Sequence, residues 1–163
     1  MSDSFNFIRK IKNHMINWSF KKFDDLTSYE LYSVLQLRNE VFVVEQNCVF
    51  QDADNKDQDS YHLMGWDNEM LVAYSRIIPL GLAYDSFPSI GRVVTSPKTR
   101  RTGIGKILMQ QSIEELQKLF GQSSIKLGAQ LYLKKFYESF GFVQSSDMYI
   151  EDGIPHIEMI RRE

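Results

Sequence analysis

The densest group of residues able to do chemistry lies at Pro97-Lys98-Thr99-Arg100-Arg101-Thr102-Gly103-Ile104-Gly105-Lys106, where four side chains are basic and none is acidic. Two glycines, one residue apart, stand where an amphipathic run begins. The first turn of a helix leaves main-chain N–H groups unpaired and carries the positive end of the helix dipole, so it attracts anions. Glycine there lets the backbone approach a phosphate with no Cβ in the way. The segment reads as a cradle for a pyrophosphate, with a basic loop capping a helix as the plainer alternative. Two familiar phosphate motifs do not fit. A Walker loop needs glycine, four residues, then Gly-Lys-Ser/Thr, but Ile107 follows Gly105-Lys106 and no glycine lies five residues earlier. A dinucleotide fingerprint needs a third glycine where Leu108 stands.

Other residues invite a chemical reading. Glu45 and His156 are candidates for a general base, acting directly or through a water. Arg76 and Arg92 fall inside strand-like segments, which points to an anionic feature of an acceptor or to paired carboxylates; an arginine that snorkels to the surface is the plain alternative. Residues 46–60 carry Asp52, Asp54, Asp57 and Asp59 against one lysine. Such an acidic loop favours an amine-bearing partner or is simply solvated. His62 is a candidate acceptor contact, and with Asp54 and Asp57 it raises a metal question. One cysteine, Cys48, and no close histidine pair argue against a metal site.

These residues need elements to position them. Trp18–Lys22 reads as a first strand. Thr27 and Glu30 match a capping box, followed by Leu31, Val34, Leu35, Arg38, Val41 and Phe42 at helical spacing. Residues 62–66 and 70–79 flank Asp67-Asn68-Glu69 as a hairpin. Ile90–Thr95 is short and β-branched. Gly103–Phe120 is an amphipathic helix stopped by Gly121. A strand at 124–128, a helix over 131–140 closed by Gly141, and a hairpin of 143–150 with 154–160 complete the chain. The order β, α, ββ, β, α, β, α, ββ predicts an α/β chain.

The chain has 163 residues, 43% apolar and 25% charged, enough for one domain with a real core. Nineteen basic against 21 acidic residues give a net charge of −2, without the basic excess of a general nucleic-acid binder. No apolar run approaches the roughly 18 residues a membrane span needs, which points to the cytoplasm. Residues 1–17 form a basic, weakly amphipathic extension, with Phe5, Ile8, Ile11 and Met15 at helical spacing but no signal-peptide pattern. The domain proper is expected over 18–163.

At these residues the chain resembles the GCN5-related N-acetyltransferase (GNAT) superfamily. Arg100-x-x-Gly103-x-Gly105 matches its Arg/Gln-x-x-Gly-x-Gly/Ala signature, and the stretch from Ala129 to Phe142 looks like its closing Phe-Tyr-x-x-x-Gly-Phe segment. Blocks at Arg38–Gln46, Ala73–Arg76, Ile90–Val93 and Asp152–Met159 are similar to the ElaA-like subfamily, so the resemblance spans nearly the whole chain from Trp18. It implies the GNAT fold, a central mixed, mostly antiparallel twisted β-sheet flanked by helices on both faces. It also implies acetyl-coenzyme A as donor and direct attack by a primary amine of a small molecule or peptide.

By the same resemblance, backbone groups of Val93, Val94 and Thr95 pair with the pantetheine arm. Arg100, Arg101, Thr102, Gly103, Ile104, Gly105 and Lys106 hold the pyrophosphate. Gln130 stands where many members carry an asparagine that touches the same arm. Tyr137 matches the general-acid tyrosine and also contacts the coenzyme, and a backbone N–H near Thr95 is the natural oxyanion donor. The acceptor side falls to Glu45, His62, Arg76, Arg92 and His156. Two rivals stay open: a longer acyl donor, as in acyl-homoserine-lactone synthases, and a non-catalytic coenzyme A-binding regulatory module. No metal, nucleic acid or membrane partner is expected, and the C-terminal strands leave room for a homodimer.

Overall fold

The computed structural model describes residues 15–163; Phe5, Ile8 and Ile11 of the expected extension lie outside them. Strands β1 (Asn17–Lys22), β2 (Tyr61–Asp67), β3 (Met70–Ile78) and β4 (Ser89–Thr95) form an antiparallel sheet in that order. Eight of the nine residues of β3 are buried, so both faces of this sheet must be covered. Helix α1 (Ser28–Arg38) covers one face, packing Val34 and Leu37 with Met64, Tyr74 and Val94. Helix α2 (Ile104–Phe120) covers the other, with Leu108, Met109 and Leu116 among Leu63, Val72 and Ile77. The capping box is formed: Thr27 Oγ1 accepts the Glu30 N–H, and Glu30 accepts the Thr27 N–H.

The second sheet contains β5 (Ile125–Gln130), β6 (Phe142–Gln144), β7 (Tyr149–Glu151) and β8 (Ile154–Arg161). Strand β8 pairs antiparallel with β5 on one edge and with β6 and β7 on the other. Where β4 and β5 begin, the Lys126 N–H donates to the Pro88 carbonyl at 3.2 Å. Beyond that bond no ladder joins the two strands among the described residues. The expected α/β architecture with helices on both faces therefore holds, and its sheet is split into two antiparallel halves that part toward Thr95 and Gln130.

Three expected elements take a different form. The first helix does not run to Phe42 as one α-helix; it widens after Arg38 into a π-helical stretch, Asn39–Glu45, where Val41, Val43 and Val44 crowd an α-turn with β-branched side chains. The helix expected over 131–140 is a 3₁₀ turn, Leu131–Leu133, followed by α3 (Lys134–Glu138). The arm expected at 143–150 breaks into β6 and β7 because Ser146 Oγ takes the Glu158 N–H at 2.9 Å, in place of a strand carbonyl.

Candidate active site

A single register shift shapes the mouth of the wedge. Tyr74 faces Val94 and Arg76 faces Gly91, so Arg92 and Val93 together stand opposite Ser75 alone. This is a β-bulge, with Arg92 in the left-handed conformation at φ 50°. It interrupts the β3–β4 ladder, which resumes at Val94 and Thr95, and a cleft of about 930 Å³ opens beside it, within the size of small-molecule sites. Val93, Thr95 and Gly105 line one wall; Gly128, Gln130 and Tyr137 line the other.

At the end of β4 the chain makes a 3₁₀ turn, Pro97–Thr99, capped by Ser96, whose Oγ accepts the Lys98 N–H. Arg101 at φ 63° and Gly103 at φ 89° then alternate with ordinary conformations before α2 starts at Ile104. Such alternation points successive N–H groups to one side, the geometry of an anion nest. Among the described residues no acceptor pairs with the main-chain N–H groups of Arg101, Thr102, Gly103, Ile104 or Gly105. A Cβ on Gly103 would meet nothing within 4 Å, so the space on that side of Gly103 is open. A diphosphate fits this donor set: free N–H groups, a helix dipole, and the charges of Arg101 and Lys106, both exposed.

Tyr137 is 5% exposed and held edge-on between Phe136 and Phe142, at ring-centre distances of 5.2 and 6.1 Å. Among the described residues nothing hydrogen-bonds its hydroxyl, and the residue lines the cleft. Burial, with Tyr132 as a lesser cause, pushes that hydroxyl well above the ordinary tyrosine range. It stays protonated and can only give a proton. His156, also on the cleft wall, has Nδ1 2.8 Å from the Ile154 carbonyl. A carbonyl only accepts, so the Nδ1–H is the donor there, and Nε2 stands 3.7 Å from a Glu151 carboxylate oxygen. The ring stacks on Tyr149 at 5.9 Å, which fixes its plane.

Glu45, the other candidate base, is placed differently. The π-helical stretch carries it to the loop after β4, where its two oxygens accept from both terminal nitrogens of Arg100, one at 2.8 Å. The Arg100 hydrogen bond holds its carboxyl below the usual carboxylate range, which makes it a weak base. Gln130 donates from Nε2 to Gln46 Oε1 at 3.1 Å and faces the cleft.

The expected acceptor contacts His62 and Arg76 are corrected by burial. His62 is 0% exposed; its Nε2–H donates to the Asp57 carbonyl at 3.0 Å and its Nδ1 accepts from Tyr74 at 2.8 Å. Both ring nitrogens are spent inside the protein, and desolvation lowers its pKa, so it is a neutral structural histidine. Arg76 is 2% exposed and gives Nη1 to Asp54 and Asp57, both at 2.7 Å, and Nη2 to Asp54 at 2.8 Å. Arg92 is tied to Asp52 through Nε at 2.8 Å and through Nη2 to its carbonyl at 3.0 Å. The fully buried Arg38, read as one member of a helix stripe, bonds Asp52 and Asp57, each at 2.7 Å. Three loop aspartates thus neutralise three arginines, and the expectation of an acidic loop inviting an amine gives way. The signal was present in the sequence: three arginines inside apolar segments need carboxylates, and one loop offers four.

The bulge at Arg92, the tyrosine pair Tyr84 and Tyr149 on the cleft wall, and Cys48, whose thiol meets the Asp152 carbonyl at 3.3 Å, were not expected from sequence. Bulges leave no fixed pattern in one sequence, and the wall residues come from two separate loops and strand β7. Among the described residues no cluster of His, Cys, Asp and Glu could hold a metal ion. No helix among them is long and apolar enough to cross a membrane.

Comparison with known proteins agrees with this geometry. Residues 37–162 match the acetyltransferase (GNAT) domain model. The Escherichia coli protein ElaA is 43% identical over 149 residues, covering 90% of this chain and 97% of that protein; its crystal structure superimposes with a TM-score of 0.85. An acyl-CoA N-acyltransferase from Pseudomonas aeruginosa is 41% identical, with a TM-score of 0.86 over 90% of this chain and 99% of that one. A Bacillus subtilis acetyltransferase solved with CoA, 16% identical with a TM-score of 0.65, covers 91% of this chain and 99% of that one and shares the fold. The chain belongs to the GNAT acetyltransferase family, on its ElaA-like branch, and is built as an acyl-CoA N-acyltransferase.

Proposed function

We propose that the protein is an acetyl-coenzyme A-dependent N-acetyltransferase whose acceptor is a primary amine of a small molecule or peptide, attacked directly without an acyl-enzyme. One observation carries this reading: the cleft reaches Gly105, the last of five successive unpaired amides, and is also lined by the buried Tyr137 and by His156. When bound, the coenzyme supplies an activated acyl group on a thiol leaving group. The main-chain N–H groups from Arg101 to Gly105, with Lys106, hold its diphosphate. Val93, Val94 and Thr95, on the edge of β4 that faces away from β3, offer main-chain groups to the pantetheine arm, and Gln130 faces them across the wedge. An N–H near Thr95 faces the oxygen that gains charge.

His156 Nε2 takes the proton from the entering ammonium, directly or through a water. Tyr137 gives its proton to the leaving sulfur. Donation from a tyrosine above its usual pKa is uphill to an ordinary thiolate, but the same dry surroundings disfavour the thiolate as well. Arg100 remains a phosphate candidate once released from Glu45, which in this reading orients it. The C-terminal strands remain a candidate dimer surface, and the cytoplasm the proposed location. The test is release of free thiol from acetyl-coenzyme A across a panel of amino acids, polyamines, aminoglycosides and peptides. Turnover with at least one amine is expected. Activity only with an acyl-carrier-protein thioester would select the longer-acyl reading, and tight coenzyme binding without thiol release would select the silent module.

A further inference from the structure

A left-handed non-glycine residue inside a strand is held there by something. Arg92, at φ 50°, occupies the bulge of β4, and its side chain is anchored outside the sheet. Its Nε donates to Asp52 Oδ1 at 2.8 Å and its Nη2 to the Asp52 carbonyl at 3.0 Å. Asp52 is in turn fixed from the opposite direction. Its Oδ2 accepts from Arg38 Nε at 2.7 Å and its carbonyl also accepts from Arg38 Nη2 at 3.1 Å. Arg38 is fully buried at the end of α1. Both carboxylate oxygens and the carbonyl of one residue are thus clamped between a core helix and the bulge.

We infer that Asp52 and Arg92 are positioning residues, a strut from α1 that holds the β4 bulge in the conformation that presents Val93 to Thr95 to the coenzyme. The inference rests on the proposed function for what the bulge serves. It sets Arg92 apart from an acceptor-binding role, since its charge is already neutralised by Asp52, 11% exposed. The strut also ties the wall of the cleft to the bulge, because Asp54, two residues on, lies 3.5 Å from Arg92 Nη2.

The decisive comparison is alanine against glycine at one position. Alanine at position 92 removes the anchor and leaves a Cβ that disfavours φ 50°, so the bulge relaxes. Glycine removes the anchor but accepts that φ at no steric cost. Calorimetry with coenzyme A needs no acceptor. R92A is expected to weaken coenzyme binding about tenfold, whereas R92G stays within about threefold of wild type. Gly121→Ala places alanine at φ 75° at the far end of α2, and serves as a control. It lowers thermal stability without changing coenzyme affinity. D52N weakens binding, and adding R92G restores it; should R92A not fold, this second comparison decides. Equal affinities of R92A and R92G, or an R92A protein that binds as tightly as wild type, would overturn the strut. A wild-type protein that gives no heat with coenzyme A would instead remove the functional reading beneath it.

Discussion

The two glycines of the turn that leads into α2 predict opposite responses to the same substitution. Gly103 sits at φ 89° with nothing within 4 Å of where a Cβ would go, so its constraint is conformational alone. Alanine there costs the left-handed penalty, about 1–2 kcal/mol. Gly105 is inside the first turn of α2, outside the left-handed region, and a Cβ would meet only Thr95 Cγ2 at 3.9 Å, an ordinary contact. Alanine there gains up to about 1 kcal/mol of helix propensity. For a chain of this size 1 kcal/mol corresponds to about 2–4 °C in Tm. Thermal unfolding followed by circular dichroism should place Gly103→Ala below wild type and Gly105→Ala at or above it. Calorimetry should find coenzyme A binding weakened for Gly103→Ala, whose amides rotate, and kept for Gly105→Ala. If the two variants unfold together, or if Gly103→Ala binds as tightly as wild type, the amide cradle is not set by that left-handed turn and the reasoning fails.

Two further outcomes follow from the site and the core. Tyr137→Phe keeps the ring between Phe136 and Phe142, so kcat should fall by about 10²–10⁴ while the KM for acetyl-coenzyme A stays within about threefold; an unchanged kcat removes the tyrosine from proton transfer. His62 is held neutral by burial, with its pKa lowered, so below about pH 6.5 the unfolded chain binds a proton that the folded chain refuses. Stability is therefore full above that pH and lost as pH falls, by up to about 1.4 kcal/mol per unit. Denaturant titrations should show the slope flattened in His62→Gln, and identical slopes would show that another group carries it.

Sequence patterns reached as far as local rules reach. Thr27 and Glu30 announced their capping box, Asn68 its hairpin, and Gly103 and Gly121 the two ends of the long helix, because each depends on neighbours within four residues. The turn that leads into α2 was legible for the same reason. What pairs across distance was not. The partners of Arg76 and Arg92 were left between substrate and carboxylate, since the spacing of Asp52, Asp54 and Asp57 in an irregular loop carries no direction. His62 is polar in a strand, and only its two partners, Tyr74 and the Asp57 carbonyl, show that it faces inward. The bulge at Arg92 escaped because IGRVVT, short and β-branched, reads as a strand and carries no mark of where its register shifts.

The arginine–aspartate network raises a question that stability alone does not answer. Six charges gathered together, with Arg38, Arg76 and Asp57 buried and the other three half-buried, gain little over an apolar cluster of equal volume, because each must leave water before it meets its partner. Apolar side chains would pack as densely, but they lack direction. A bidentate guanidinium fixes distance and angle at once. The places where direction matters here are few: Arg92 must hold a backbone angle that its own Cβ resists, and Arg76 must draw an irregular loop onto β3. Both lie against the cleft and away from the core packed under α2. Charge has therefore been placed where the fold needs orientation more than cohesion, next to the bulged strand that borders the cleft.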